Sequence, residues 1–131
     1  DRVGIKMSPE MNFNDIVDAN PQETYTYLVD QLQEFNLAYV HVALFGAKVD
    51  YHALLKPKVK TAYLMGGGLD QTKAEAALVS GTADATVFGG AFLANPDLPE
   101  RFRAGAVLNA PDKDTFYAGG EKGYTDYPAL T

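Results

Sequence analysis

The sequence contains no cysteine. That excludes disulfide frameworks, thiolate nucleophiles and cysteine-ligated zinc, and it fits a cytoplasmic protein. Positive charge is also scarce. Eleven Lys plus Arg against seventeen Asp plus Glu leave a net charge of −6, which argues against nucleic-acid binding through a broad basic surface. An anionic ligand would need a local nest of backbone N–H groups or a few well-placed cations. No apolar run approaches the roughly 18 residues of a membrane span, so no membrane association is expected. The 131 residues fall well short of the roughly 250 of a complete (β/α)8 barrel. They do match one globular domain of roughly 100–150 residues, and a hydrophobic fraction of 47% suffices for a core. The start, Asp1-Arg2-Val3-Gly4-Ile5, enters a strand-like run without a leader and reads as a cut or split chain.

What is present alternates between strands and helices. Val3 to Met7 reads as a strand closed by Ser8-Pro9. A polar loop follows, with Asp15 and Asp18 best read as part of a solvated turn. Asn20-Pro21-Gln22-Glu23 reads as a helix start, with Asn20 as cap, Pro21 at the first helical position and Glu23 reaching back. Tyr25, Leu28, Val29, Leu32 and Phe35 recur at helical spacing. Leu37 to Val42 is a second strand, apolar enough to be covered on both faces. Leu54-Leu55-Lys56-Pro57 closes a short helix, and Lys56, Lys58 and Lys60 form a small basic cluster. Ala62 to Met65 is a third strand, and a helix over Gln71 to Ser80 follows with Asp70 as its cap and Gly81 as its stop. Ala85 to Phe88 is a fourth strand. Asn95-Pro96-Asp97 opens a last helix, and a tail rich in Gly, Pro, Asp and Tyr begins at Ala106. Four strand–helix units in succession predict an α/β fold with a parallel sheet. Either an open doubly wound sheet or half of a (β/α)8 barrel accommodates them.

Two glycine-rich strand ends are the strongest chemical signal. Gly66-Gly67-Gly68 and Gly89-Gly90 each leave a strand and feed a helix. Glycine lets a ligand approach the backbone, and helix N-termini favour anions, so the pair predicts a phosphate pocket. Tight turns alone are the plainer reading of either glycine run. Arg2 could stabilise a developing anion. His41 reads as a strand histidine with its hydrogen bonds satisfied, and His52 as an exposed loop residue. Two histidines without clustered carboxylates predict no metal site.

The ordered strings carry a resemblance. Arg2-Val3-Gly4-Ile5-Lys6-Met7-Ser8-Pro9, Leu37-Ala38-Tyr39-Val40-His41-Val42, the Gly66–Gly68 run, Ala94-Asn95-Pro96-Asp97-Leu98 and Gly123-Tyr124-Thr125-Asp126-Tyr127-Pro128 together resemble the C-terminal half of the Old Yellow Enzyme family, the FMN-dependent ene reductases. The resemblance implies that residues 1–131 form the C-terminal half, strands five to eight, of a (β/α)8 barrel within an FMN-binding oxidoreductase domain. It implies reduction of the flavin by NAD(P)H, either NADH or NADPH, and hydride transfer to an activated alkene such as an enone, maleimide or nitro compound. It implies FMN contacts from Arg2, Gly66, Gly67, Gly68, Gly89, Gly90 and Phe92, and a substrate contact from Tyr124. It assigns no catalytic residue in this chain.

Two departures stand out. Gly90 occupies the place where the family carries an arginine after Phe-Gly, and the strands that bear the substrate-activating pair and the proton donor are missing. The chain alone is therefore expected to be inactive and to need a complementary N-terminal half-barrel or self-association. The alternative is a non-catalytic half-barrel that binds phosphate weakly or acts as an assembly partner.

Overall fold

A computed structural model describes residues 2–117 and 119–130. Asp1, where the strand-like start was read, and Thr131 at the end of the tail lie outside them, as does Ala118. The chain divides into two compact units, Asp1–Val87 and Phe88–Thr131.

The first unit is built on four parallel strands in sequential order: β1 (Gly4–Met7), β2 (Tyr39–Ala43), β3 (Ala62–Gly66) and β4 (Ala85–Val87). Three helices alternate with them: α1 (Pro21–Leu32), α2 (Tyr51–Leu55) and α3 (Gln71–Val79). The register aligns Ile5 with Val40 and Tyr63, and Met7 with Val42 and Met65. Side chains alternate across a sheet, so these residues share the helix-facing side. Met7, Val40, Val42 and Tyr63 pack there with Val29, Tyr51, Leu55 and Ala77 in the core.

The opposite face carries Gly4 and Lys6 from β1. Tyr39, His41 and Ala43 come from β2, Ala62, Leu64 and Gly66 from β3, and Ala85 and Val87 from β4. No acid occurs among these residues. Lys6, Ala62 and Ala85 are exposed, and Tyr39 is 39% exposed. This inner face is the one the helices leave uncovered.

The helix ends differ from the sequence reading in instructive ways. Asn20 makes no side-chain cap at α1. Asp18 takes over, its Oδ1 accepting from the Asn20 N–H (2.9 Å) and the Thr24 hydroxyl (3.2 Å). Asp70 caps α3 as expected, accepting from the Lys73 N–H at 2.8 Å, and that bond holds its carboxyl below the usual range. α2 ends at Leu55, within the stretch read as its close, and Asp50 caps its start, accepting from the N–H groups of His52 and Ala53. The backbone then tightens into a 3-10 turn over Lys56–Lys58 that tolerates Pro57.

The second unit holds α4 (Gly90–Ala94) and α5 (Leu98–Ala104), then a 3-10 turn over Lys113–Thr115. α4 has no counterpart in the sequence reading. α5 ends at Gly105 in the left-handed conformation (φ 60°), the usual helix stop. Arg101 is 4% exposed and fully engaged. Its Nε donates to Asp97 (2.7 Å), Nη1 to the Val107 carbonyl (2.7 Å) and Nη2 to the Pro128 carbonyl (2.8 Å). Asn109 donates to the carbonyls of Ala94 and Pro128. These bonds clamp the tail to α5.

Candidate functional site

The C-terminal ends of parallel strands are where α/β sheets bind ligands. In the first unit this end gathers the loops that leave β1, β2 and β3. The register fixes what reaches it. Gly66 pairs with Ala43, and Lys6, His41 and Leu64 form the row beneath. Lys6 is therefore the exposed cation on the inner face nearest the strand ends.

Arg2 stands elsewhere. It precedes Gly4, whose row contains Tyr39 and Ala62, so it lies six residues below the level of Gly66. At about 3.3 Å per residue that is about 20 Å. Arg2 therefore lies well below the level of the glycine-rich exit, and Lys6 stands nearer to it. Sequence reading missed Lys6 because both cations share one short string and only the register tells which end each occupies.

The exit of β3 is a real turn in the left-handed region. Gly67 has φ 92° and Gly68 φ 62°. A β-carbon on Gly67 would collide with the Leu44 carbonyl, whereas one on Gly68 would meet nothing. The turn is thus held by close backbone packing on one side and open on the other. Beneath it, the His41 ring lies against Gly66. His41 is 9% exposed, and its Nε2 is buried without a hydrogen-bond partner among the described residues, so the expectation of a satisfied strand histidine does not hold. Burial, and then the nearby Lys6 charge, push its pKa down.

His52 is also not where sequence placed it. It is 5% exposed rather than solvated, because α2 turns it inward. Its Nδ1 meets the Tyr63 hydroxyl at 2.9 Å. Burial lowers its pKa and raises that of Tyr63. Lys56 pairs with Asp84 and Lys58 with Asp30. Both lysines precede β3, at the end of the sheet away from Gly66–Gly68, and they supply no charge to that exit. Among the described residues no group of three or more His, Asp or Glu is placed to hold a metal ion, and no helix is long and apolar enough to cross a membrane.

In the second unit, Gly89 precedes α4 and Gly90 opens it. The first N–H groups of a helix lack intrahelical acceptors, so this end offers donors but no cation. A β-carbon on Gly89 would meet nothing, and one on Gly90 would lie 3.2 Å from the Phe116 ring. Phe92 is 45% exposed on α4 and Tyr124 is 64% exposed. Tyr124 sits in a tight turn, its N–H bonded to the Glu121 carbonyl. Gly123 beside it has φ 71° and donates its N–H to Asp126 at 2.7 Å.

Four parallel strands in sequential order, with the helices of this unit on one face, define half of a (β/α)8 barrel. The sequence comparisons agree with the fold. No protein-family model matches the chain. A protein of Leishmania infantum that bears the name "Probable flavin mononucleotide-dependent alkene reductase" is 40% identical over 133 residues, which are 99% of this chain and 36% of that protein. The structure of morphinone reductase in complex with tetrahydroNAD superposes with a TM-score of 0.85 at 41% identity, covering 98% of this chain and 36% of that one. The old yellow enzyme from Trypanosoma cruzi superposes with a TM-score of 0.91 at 29% identity, covering 98% and 35%. Over nearly all of its length this chain is similar to members of the Old Yellow Enzyme family, and it spans a little over a third of the length of the relatives it matches.

Proposed function

We propose that this chain supplies the C-terminal half of the barrel of an FMN-dependent, NAD(P)H-driven reductase of activated alkenes, and that it is inactive without the other half. The supporting observation is the 40% identity with the Leishmania infantum protein across 99% of this chain, combined with the four parallel strands of a half-barrel. Enones, maleimides and nitro compounds are the substrate class, and the compartment is cytoplasmic.

The residues present fit part of a flavin site. The open side of Gly68, next to a turn held rigid by Leu44, admits a group against the backbone. In the first unit Gly66, Gly67 and Gly68 would be FMN contacts; in the second, taken by itself, Gly89, Gly90 and Phe92 would be. Lys6 takes the role first expected of Arg2, since a cation on the inner face stabilises negative charge that develops on a reduced flavin. The flavin supplies hydride acceptance and donation when bound. Tyr124, held by the Glu121–Thr125 turn, would line the substrate pocket. Neither glycine-rich exit brings a cation of its own, because Gly90 stands where the family has an arginine.

A specific observation favours a second reading. Lys56 and Lys58 are committed to Asp84 and Asp30, so neither of these two replaces the missing arginine. A half-barrel acting chiefly as an assembly partner follows from that. Both readings are decided by mixing the purified chain with the N-terminal portion of the Leishmania infantum relative in the presence of FMN. NAD(P)H oxidation with a maleimide should appear only in the mixture. Turnover by the chain alone overturns the need for a second half. A 1:1 complex that binds FMN but turns nothing over overturns the alkene-reductase reading.

A further inference from the structure

One side chain holds two of the strand-end loops together. Glu10 follows Ser8-Pro9 in the loop that leaves β1, and its backbone is left-handed at φ 56°. Asn14 (53°) and Asp15 (58°) in the same loop are left-handed as well. Such conformations are uncommon for residues with a β-carbon, and they persist where surrounding contacts over-determine them.

At Glu10 those contacts are explicit. Oε2 accepts from the Lys48 N–H at 2.7 Å, and Oε1 accepts from the Tyr51 hydroxyl at 3.0 Å. Lys48 belongs to the loop that leaves β2, and Tyr51 opens α2 with its ring fully buried. The carboxylate therefore spans 38 and 41 residues of sequence to tie the first loop to the second. A cavity of about 300 Å³ lies between the loops, with Met11 and Ile16 from the first and Gly46 and Lys48 from the second among its walls. Phe13, Ile16 and Val17 of the first loop and Phe45 of the second are each more than half exposed, so the tie fixes where substantial apolar surface stands.

We propose that Glu10 is a positioning residue: a two-oxygen latch that holds the β1–α1 loop against the β2–α2 loop and thereby sets the shape of the substrate entrance on this side of the barrel. The inference rests on the alkene-reductase reading, because loops after the strands build the site of a (β/α)8 barrel. It concerns Glu10 only as a support and gives it no contact with substrate or flavin.

Two readouts test it in the flavin-loaded enzyme with its barrel complete. In Glu10→Ala, amide exchange across residues 44–50, including Lys48, should accelerate roughly tenfold or more. KM for the alkene should rise roughly tenfold while kcat stays within about twofold. Glu10→Gln keeps one acceptor oxygen and should recover most of the KM. Tyr51→Phe removes only the phenol donor, folds with its ring in place, and should give an intermediate KM. Unchanged exchange in residues 44–50 of Glu10→Ala overturns the latch. Released loops with an unchanged KM overturn its role at the entrance. If the unsubstituted enzyme reduces no activated alkene, the proposed function fails and the entrance role falls with it; the exchange data still measure the tie itself.

Discussion

The His41 imidazole occupies the space that a side chain at Gly66 would need: a β-carbon there would lie 2.5 Å from Nε2. The two residues sit on neighbouring strands of the inner face, one row apart. A ring has no flexible end to swing away, so the clash must be relieved by moving the imidazole or β3 itself.

Gly66→Ala should therefore destabilise the chain by about 1–3 kcal/mol, the usual cost of overpacking. His41→Ala in the same chain should return much of that loss. The urea midpoints of the two single variants and the double variant measure the coupling. Additive effects would show that the ring and the glycine do not compete for one space.

Acidification should weaken the fold from near pH 6.5 downward. His41 and His52 both have lowered pKa values in the native state, with burial the first cause for each. The unfolded chain therefore binds more protons near pH 6, and stability rises with pH there. Their contribution is complete above the ordinary histidine value and is lost as pH falls through the lowered native values. Urea denaturation at pH 7.5 and 5.5 reads this slope, and His52→Gln should flatten it. At the alkaline end the sign reverses. Burial first, and then the bond to Glu10, raise Tyr51 to about 12, and burial raises Tyr63 as well, so stability is retained below pH 10 and declines above it.

Asp84 joins the start of β4 to β3 and to the loop before it. One oxygen, Oδ2, accepts from the Lys56 ammonium at 2.5 Å and from the Tyr63 N–H at 2.7 Å. The carboxylate is 46% exposed, so the ion pair adds little. The loss in Asp84→Ala comes from leaving the Tyr63 N–H without an acceptor and should be about 1 kcal/mol. Lys56→Met should cost less. Thermal unfolding of both variants ranks them, and the reverse order would make the ion pair the main contributor.

Gly90→Arg places a guanidinium at the start of α4. In the completed, FMN-binding protein it should tighten flavin binding by roughly tenfold or more, the value of a charge-assisted phosphate bond. The Phe116 ring, 3.2 Å from the new β-carbon, must shift by a few tenths of an ångström, and Phe116→Leu in the same chain makes room. Fluorescence titration of FMN measures both. Equal affinity with and without the arginine would show that the phosphate does not reach this helix end.

Arg101 locks the second unit. Arg101→Met removes the donors to Asp97 and to the Val107 and Pro128 carbonyls, while Asn109 still donates to Pro128 and the Leu130 N–H to Asp97. The variant should unfold at a lower temperature than the unsubstituted chain, because the guanidinium contacts to the Val107 and Pro128 carbonyls are lost. Proteolysis in residues 119–130 should accelerate accordingly. Unchanged protection of the tail would place its anchor at Asn109 instead.

The order of elements was legible in the sequence because short apolar runs, caps and glycine stops punctuate it. Asp70, Gly81 and Gly105 stand where the chain needs a cap or a left-handed stop. α4 was not legible: Gly90-Ala91-Phe92-Leu93-Ala94 is too short to show a period. His52 looked solvated because its partner, Tyr63, is eleven residues away on a strand. Arg2 and Lys6 could be told apart only once the register fixed their heights. Glu10 carried no local signal, since its partners lie in the loop after β2 and at the start of α2.

The acid-free inner face has an electrostatic consequence. The outer strands β1 and β4 are parallel, so a two-fold axis could in principle close two copies into eight strands. That arrangement would gather Lys6 from each copy around one axis, with no carboxylate among the strand residues of that face. Like charges brought together there repel, and because Lys6 is exposed the repulsion is screened by salt. Self-closure is thereby disfavoured at low ionic strength and eased by salt, whereas a dissimilar half that brings negative charge to the axis meets no such barrier. The face's charge pattern acts as a filter on which half may complete the barrel.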